Sequence, residues 1–390
     1  MSSSSAETRW YAESRDLVKD LFRPNPIIYW VDFLVSLTIG AISSAAYVEA
    51  PIFSLTQLAY LLIAACSLYR SASFMHEIVH FKKREMRSFK VAWNLLAGIP
   101  LMIPSFLYEP HVAHHSSRQY GTQQDSEYLP LGGGRWRVIT EYLLQVFVLP
   151  VAGFLRFFLI TPLSFVCPPL RRWALEHATT NMINFRYRRE IPENAPRKLW
   201  ALIELGCFLR STLLFILPIA LPLLIPGERP AEWRRVPEIY MLAVTILSIN
   251  HLRTLVAHRY RGRGETMSHE DQFFDSVDIV GDPVFTELLC PVGMRYHALH
   301  HLFPSLPYHN LGTAHRRLMA KLPADSPYRK AVVPSFWTAL ANFIRHTRVA
   351  AKENPSSADE WLARPIPTGD DSDETASSKS PRKEVVATHE

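Results

Sequence analysis

The sequence predicts an all-α, multi-pass membrane protein with about four transmembrane helices, and three observations carry that prediction. Apolar residues make up 48% of the chain and are gathered into long runs separated by polar blocks. Several of these runs are long enough to cross the hydrocarbon core of a bilayer. Lys and Arg crowd some ends of the runs and are missing from others, the asymmetry expected of a chain threaded through a membrane.

Residues 1–25 carry Arg9, Arg15, Lys19 and Arg23 and lack the apolar core of a cleavable signal peptide, so a polar N-terminal segment is expected. The run PIIYWVDFLVSLTIGAISSAAYV from Pro26 is the first span, with one charge, Asp32, near its start. A short turn around Glu49, Ala50 and Pro51 leads into IFSLTQLAYLLIAACSLYRSASFM, so the first two spans form a hairpin. The third and fourth spans are LIELGCFLRSTLLFILPIALPLLIP from Leu202 and PEIYMLAVTILSINHLRTLVAH from Pro237. Two further runs, VAWNLLAGIPLMIPSFLY from Val91 and YLLQVFVLPVAGFLRFFLITPLSFV from Tyr142, are interrupted by prolines, and the second has Arg156 in its middle. They are expected to be re-entrant or interfacial, which a broken helix tolerates where it packs on protein rather than lipid. Residues 26–350 therefore read as one membrane domain, and the polar, aperiodic residues 351–390 as a disordered tail.

Lys82, Lys83, Arg84, Arg87 and Lys90 follow the second span, whereas the turn between the first two spans has no Lys or Arg. Both termini and the ends of the second and fourth spans are expected in the cytoplasm. Arg229, Arg234 and Arg235 before the fourth span pull the other way and are outweighed by the stronger asymmetry. The pI near 9.1 comes from these flanking residues, and no basic stripe interleaved with aromatics points to nucleic acid. Cys66, Cys167, Cys207 and Cys290 have no paired spacing and read as reduced packing residues.

The sixteen histidines matter through their spacing. MHEIVHF holds His76 and His80, HVAHH holds His111, His114 and His115, and HALHH holds His297, His300 and His301. Offsets of three and four put the imidazoles of each cluster on one helical face, and three such faces can enclose a metal site. HEIVH alone also fits the zinc-protease signature, with Glu77 activating water, but that reading leaves six clustered histidines unused. A histidine-rich metal transporter would place its ligands inside the spans rather than at their ends. A shared site further requires residues 91–108 to dip in and return, since an odd number of crossings would separate the clusters.

These clusters resemble the three histidine boxes of the membrane fatty acid desaturase superfamily, here HEIVH, HVAHH and HALHHLFPSLPYHNL, over roughly Trp30 to Leu322. The resemblance implies a cytoplasmic helical cap holding two iron ions, with O2 as co-substrate, acting on a lipid or acyl-thioester chain. Carried over by position, it assigns His76, His80, His111, His114, His115, His297, His300 and His301 as iron ligands, and imidazole suits iron. A ninth ligand commonly follows from the helix before the third box, where His258 and His251 both stand; His258 is preferred because it lies at the end of the span. Thr254 occupies the place where stearoyl-CoA desaturases carry an asparagine. Asp125 and Glu127, in SRQYGTQQDSEYLP, are expected to orient ligand histidines. His177, His269, His309, His315, His346 and His389 are given no metal role. Desaturation is the expected reaction, with a diiron hydroxylase or ketolase of a lipid, alkane or carotenoid as the alternative. No cytochrome b5 signature is fused, so electrons are expected from a separate ferredoxin, or from cytochrome b5 and its reductase.

Overall fold

The structure, a computed structural model, describes residues 3–82, 84–178, 183–225, 233–354 and 356–364. Lys83, Arg229 and His389 therefore lie outside the described residues, as do residues 365–390 of the expected tail. The chain is helical almost throughout, apart from a parallel pairing of Asp278–Ile279 with Val332–Val333.

Pro26–Glu49 and Leu55–His80 form the expected hairpin. Asn25 and Ser54 cap the two helices, each accepting a backbone N–H two or three residues on. Ser36, Gly40 and Ser43 lie on the buried face of the first helix, and a Cβ on Gly40 would meet Leu68 at 2.7 Å, so small residues let the two helices approach closely. Ile27, Val31, Val35, Ile39 and Ile42 are exposed on the remaining surface, as a lipid-facing stripe requires. Asp32, the charge noted in the first span, is held by Arg70 of the second through two bonds of 2.7 and 2.6 Å. Arg70 also reaches Glu287 at 2.7 Å, and the Tyr308 hydroxyl donates to Asp32 at 2.7 Å.

Among the described residues, five helices are long and apolar enough to cross a membrane: Pro26–Glu49, Leu55–His80, Trp136–Val166, Arg197–Ala220 and Arg235–Ala257. The third of these, expected to be re-entrant or interfacial, is a continuous helix through Pro150 and passes through a π-helical turn at Arg156–Ile160 just before Pro162. Contacts of this helix and of the chain after it lead back toward the second histidine cluster. Gln145 donates to Ile183 O at 3.2 Å, and Asn184 donates to Asp125 O at 2.8 Å, in the loop after the second histidine cluster. Arg156 is buried at the π turn against Glu204, which also forms an ion pair with Arg171 at 2.5 Å. That carboxylate explains how a proline-broken run tolerates an arginine in its middle.

Residues 91–108 dip and return as the shared site requires. Arg87–Trp93 continues as a π turn, Asn94–Gly98, then bends back into Ser105–Tyr108. The Asn94 side chain fastens the bend by accepting from Ser105 N at 3.0 Å and donating to its hydroxyl at 2.9 Å.

The expected boundary of the tail at residue 351 moves outward. Phe336–Glu353 runs past it, and Ser357–Ala363 is a further helix whose Trp361 and Ala358 are fully buried beside Tyr128 and Leu131. The Trp361 indole donates to Gly121 O at 2.7 Å, and its carbonyl accepts from Gln123 at 2.5 Å. A polar composition hid this helix because one tryptophan supplies its anchor. All four cysteines are free; Cys207 and Cys290 are buried and Cys66 is half-buried, whereas Cys167 is exposed rather than packed.

Candidate metal centre

The second span delivers His76 and His80 in its last turns. The returning segment delivers His111 and His114 on a single helical turn, His111–His114, with His115 at its end. The third cluster stands on His297–Leu302, a short helix with no side-chain cap of its own. Asp278 performs that service from a distance, its carboxylate accepting Leu299 N–H at 3.0 Å and the Tyr328 hydroxyl at 3.1 Å. Burial pushes Asp278 up to about 7.

Backbone geometry sets His251 and His258 apart. Arg235–Ala257 ends one residue before His258, whose extended backbone (φ −128°, ψ 161°) pairs across to Ser276. The two residues therefore do not share a helical face as seven-residue spacing in a continuous helix would require. His258 turns into the histidine cluster. His251 stays in the bundle, its Nδ1–H donating to Leu247 O at 2.9 Å and its ring stacked on Tyr142 at 4.4 Å. Thr254 turns back on its own helix, its hydroxyl donating to Asn250 O at 2.9 Å.

All nine histidines selected from the sequence meet, in two sets. His76, His80, His111, His115 and His300 present nitrogens within 4.8 Å of one another, and His114, His258, His297 and His301 do the same. His115 Nε2 lies 3.0 Å from His111 Nε2 and 3.2 Å from His300 Nε2, and His297 Nε2 lies 2.9 Å from His258 Nε2. Ligands at right angles on a metal at ~2.1 Å are ~3.0 Å apart, so these separations are those of ligand edges. The residues fit a metal for a second reason. Both nitrogens of His76 and His301, and Nε2 of His80, are buried without a hydrogen-bond partner. Such orphaned ring nitrogens are costly unless an ion takes up their free lone pairs. Burial holds His115, His297, His300 and His301 well below the usual imidazole range, the neutral form a metal needs.

Carboxylates hold the far side of two rings, as expected for Asp125 and Glu127. Asp125 accepts from His114 Nδ1 at 2.8 and 2.9 Å, and Glu127 from His111 Nδ1 at 2.8 Å. Each bond fixes a proton on Nδ1 and frees Nε2 for the interior. Burial opposes ionisation of Glu127, but His111 outweighs it and brings the group down to about 2. Burial likewise works against a charged His114, and the Asp125 carboxylate overrides it, holding the imidazole above its usual range. Sequence reasoning missed the relay on His258, in which Tyr120 Oη lies 2.9 Å from Nδ1 and donates to Asp275 at 2.8 Å. Tyr120 sits inside the quoted loop after the second box, but nothing in the sequence ties it to Asp275.

Glu77 does not face the cluster as a water-activating base. Its Oε2 accepts the Tyr29 hydroxyl at 2.5 Å and the Tyr308 N–H at 3.0 Å, tying the second span to the first and to the segment after the third box. Of the histidines given no metal role, His177, His269, His309, His315 and His346 all lie outside both sets.

An all-α membrane protein with nine histidines, seven buried and two half-buried, gathered into two sets that could each hold an ion fits the class of membrane-embedded, histidine-ligated metalloenzymes. The chain belongs to the fatty acid desaturase family, whose model matches residues 53–332. It is 35% identical over 355 residues to the ceramide hydroxylase of Caulobacter vibrioides (strain NA1000 / CB15N), covering 89% of this chain and 97% of that protein. No solved structure matches. The protein is thus a membrane-bound oxidoreductase that modifies lipids.

Proposed function

We propose that this protein is an O2-dependent hydroxylase of a ceramide-class lipid, working at a dinuclear iron centre. The observation that carries the metal centre is the closure of nine histidines from separate segments into two sets, with the Nδ1 protons of His111 and His114 held by carboxylates. The near full-length similarity to a ceramide hydroxylase supports the substrate class and the hydroxylated product. One iron would be held by His76, His80, His111, His115 and His300, and the other by His114, His258, His297 and His301. Bound iron supplies the activation of dioxygen that an unactivated C–H bond demands. Asp125 and Glu127 keep the Nδ1 protons of His114 and His111 in place, and the burial of the clustered rings excludes water.

In hydroxylation, one oxygen atom enters the C–H bond and the other leaves as water, consuming two electrons and two protons. In desaturation, favoured as a second reading by the family's description, two hydrogens leave the lipid and both oxygen atoms become water. The electrons would come from a separate ferredoxin, or from cytochrome b5 and its reductase. Mass spectrometry of lipids from a host expressing the protein with ceramide present is expected to show a product heavier by one oxygen atom. A product lighter by two hydrogens would select desaturation, and an unchanged lipid pool would refute both.

The Lys and Arg that follow the second span support a cytoplasmic position for the site and both termini. Single cysteines at Ser88, Ser117 and Ser268, in a background without the native cysteines, are expected to resist a membrane-impermeant thiol reagent until the membrane is opened. Labelling of all three in intact cells would invert the orientation.

A further inference from the structure

The proposed reaction draws two electrons from a carrier outside the chain, and a face of the protein has to receive that carrier. A cavity of about 390 Å³ opens beside the four-histidine set, and His258 itself lines it. Arg259 and Arg261, which follow His258 in the chain, line it as well, with Arg345 and His346 of the Phe336–Glu353 helix. A neighbouring cavity of about 540 Å³ shares Arg345 and Val349 and adds Arg348 and Lys352. No Asp or Glu is among the lining residues of either. Offsets of three and four residues put Arg345, Arg348 and Lys352 on one face of the helix, and all three are exposed, as is Arg261. The helix packs against Arg235–Ala257, the span that ends at His258.

These cations stand out by what they lack. Elsewhere exposed arginines are met by carboxylates: Arg135 by Asp359, Arg137 by Glu141, Arg172 by Glu176 and Arg364 by Glu265. Arg259 donates instead to the carbonyls of Phe274, Ser276 and Lys330, and Arg345 to the side chain of Asn342. Arg261, Arg348 and Lys352 form no ion pair among the described residues. Like charges gathered without counter-ions repel one another, and an acidic surface seated on them relieves the repulsion. The charge of this face therefore selects an acidic partner, and the presence of His258 in its wall selects a redox one. Another cavity at a histidine of the cluster, beside His80, offers neither room nor the right charge: it holds about 20 Å³, and Glu77 and Glu85 line it.

We propose that the face formed by Arg261, Arg345, Arg348 and Lys352 is the docking site of the electron donor, a small acidic one-electron carrier protein, which delivers its electrons beside His258. Each carrier gives up one electron, so two dock in turn for every lipid oxidised. The inference rests on the reading of a dinuclear iron centre above and adds where its electrons enter.

The test is steady-state turnover of the purified, iron-loaded, full-length protein in phosphatidylcholine nanodiscs, with ceramide as substrate. Two carriers serve as probes, a two-iron ferredoxin and the soluble domain of cytochrome b5, each with its reductase. With at least one of them, KM for the carrier is expected to rise as ionic strength goes from about 0.01 M to about 0.15 M, where charges are screened beyond ~8 Å. The triple substitution Arg345→Glu, Arg348→Glu and Lys352→Glu is expected to keep its iron and its KM for ceramide. Its KM for the carrier should rise on the order of 10- to 100-fold and lose most of its salt dependence. Arg348→Gln alone, a milder change at an exposed position, is expected to fall in between and guards against misfolding of the triple variant. Lys321→Glu, a reversal at an exposed position on the Tyr308–Lys321 helix, is the control and should leave KM for the carrier in place. An unchanged carrier KM in the triple variant would overturn the docking site, and so would an equal rise in Lys321→Glu. If the triple variant keeps its carrier KM and stops co-purifying with phosphatidylglycerol, the face belongs to anionic headgroups instead. Failure of both carriers to reduce iron that dithionite does reduce would overturn the proposal as well. Absence of iron from the purified protein would instead refute the dinuclear reading itself.

Discussion

Replacing His258 with alanine is expected to abolish turnover and to remove about half of the bound iron, because it takes one nitrogen from a set of only four. The remaining His114, His297 and His301 are buried, and no carboxylate joins them in the set. Loss of the ring also strands the Tyr120 hydroxyl, which now faces His258 Nδ1, although Asp275 still accepts from it. The fold should persist, since His258 lies beyond the last helical turn of its span. His251→Asn is the matched control. Its ring stacks on Tyr142 and bonds its own helix, so the variant should keep both irons and measurable activity, with a loss of at most a few kcal/mol of stability. Iron content by elemental analysis and product yield distinguish the two. Full iron and turnover in His258→Ala, with both lost in His251→Asn, would show that the ligand stands deeper in the helix.

Asp125→Asn carries the second large effect. Asp125 is fully buried and does three things at once: it accepts His114 Nδ1, and it accepts the backbone N–H groups of Gly121 at 3.1 Å and Glu127 at 2.9 Å. An amide keeps the shape of the turn but no longer holds a proton on His114 Nδ1, so the ring is free to present the wrong tautomer. Removal of such partners typically weakens metal binding ~10- to 100-fold. Chelator titration followed by iron analysis is expected to show this loss for one of the two irons. Glu127→Gln should do the same to the other, through His111. Loss of both irons together in Asp125→Asn would mean that the sets are not independent.

The parts of this molecule that could be read from sequence are those governed by short-range periodicity. Hydropathy located the hairpin and the later spans, and three- and four-residue offsets selected eight histidines that the fold brings together. Proline placement in residues 91–108 signalled the returning segment, whose bend Asn94 then fastens by a contact that no pattern announces. What stayed hidden was set by long-range pairing or by a single side chain. Asp278 caps a helix that begins nineteen residues later, and Asp275 reaches back to Tyr120. Glu77, in the most recognisable motif of the chain, is turned aside by Tyr29, a partner forty-eight positions away. Trp361 secures a helix inside a stretch whose composition reads as solvent.

Elemental analysis of the purified full-length protein tests the central claim most directly. Two sets of buried imidazoles, each with its own proton-holding carboxylate, predict two iron atoms per chain, both lost with activity on chelation and both restored by ferrous iron. One zinc per chain with no iron would contradict the dinuclear centre and return HEIVH to the zinc-protease reading, despite the placement of Glu77.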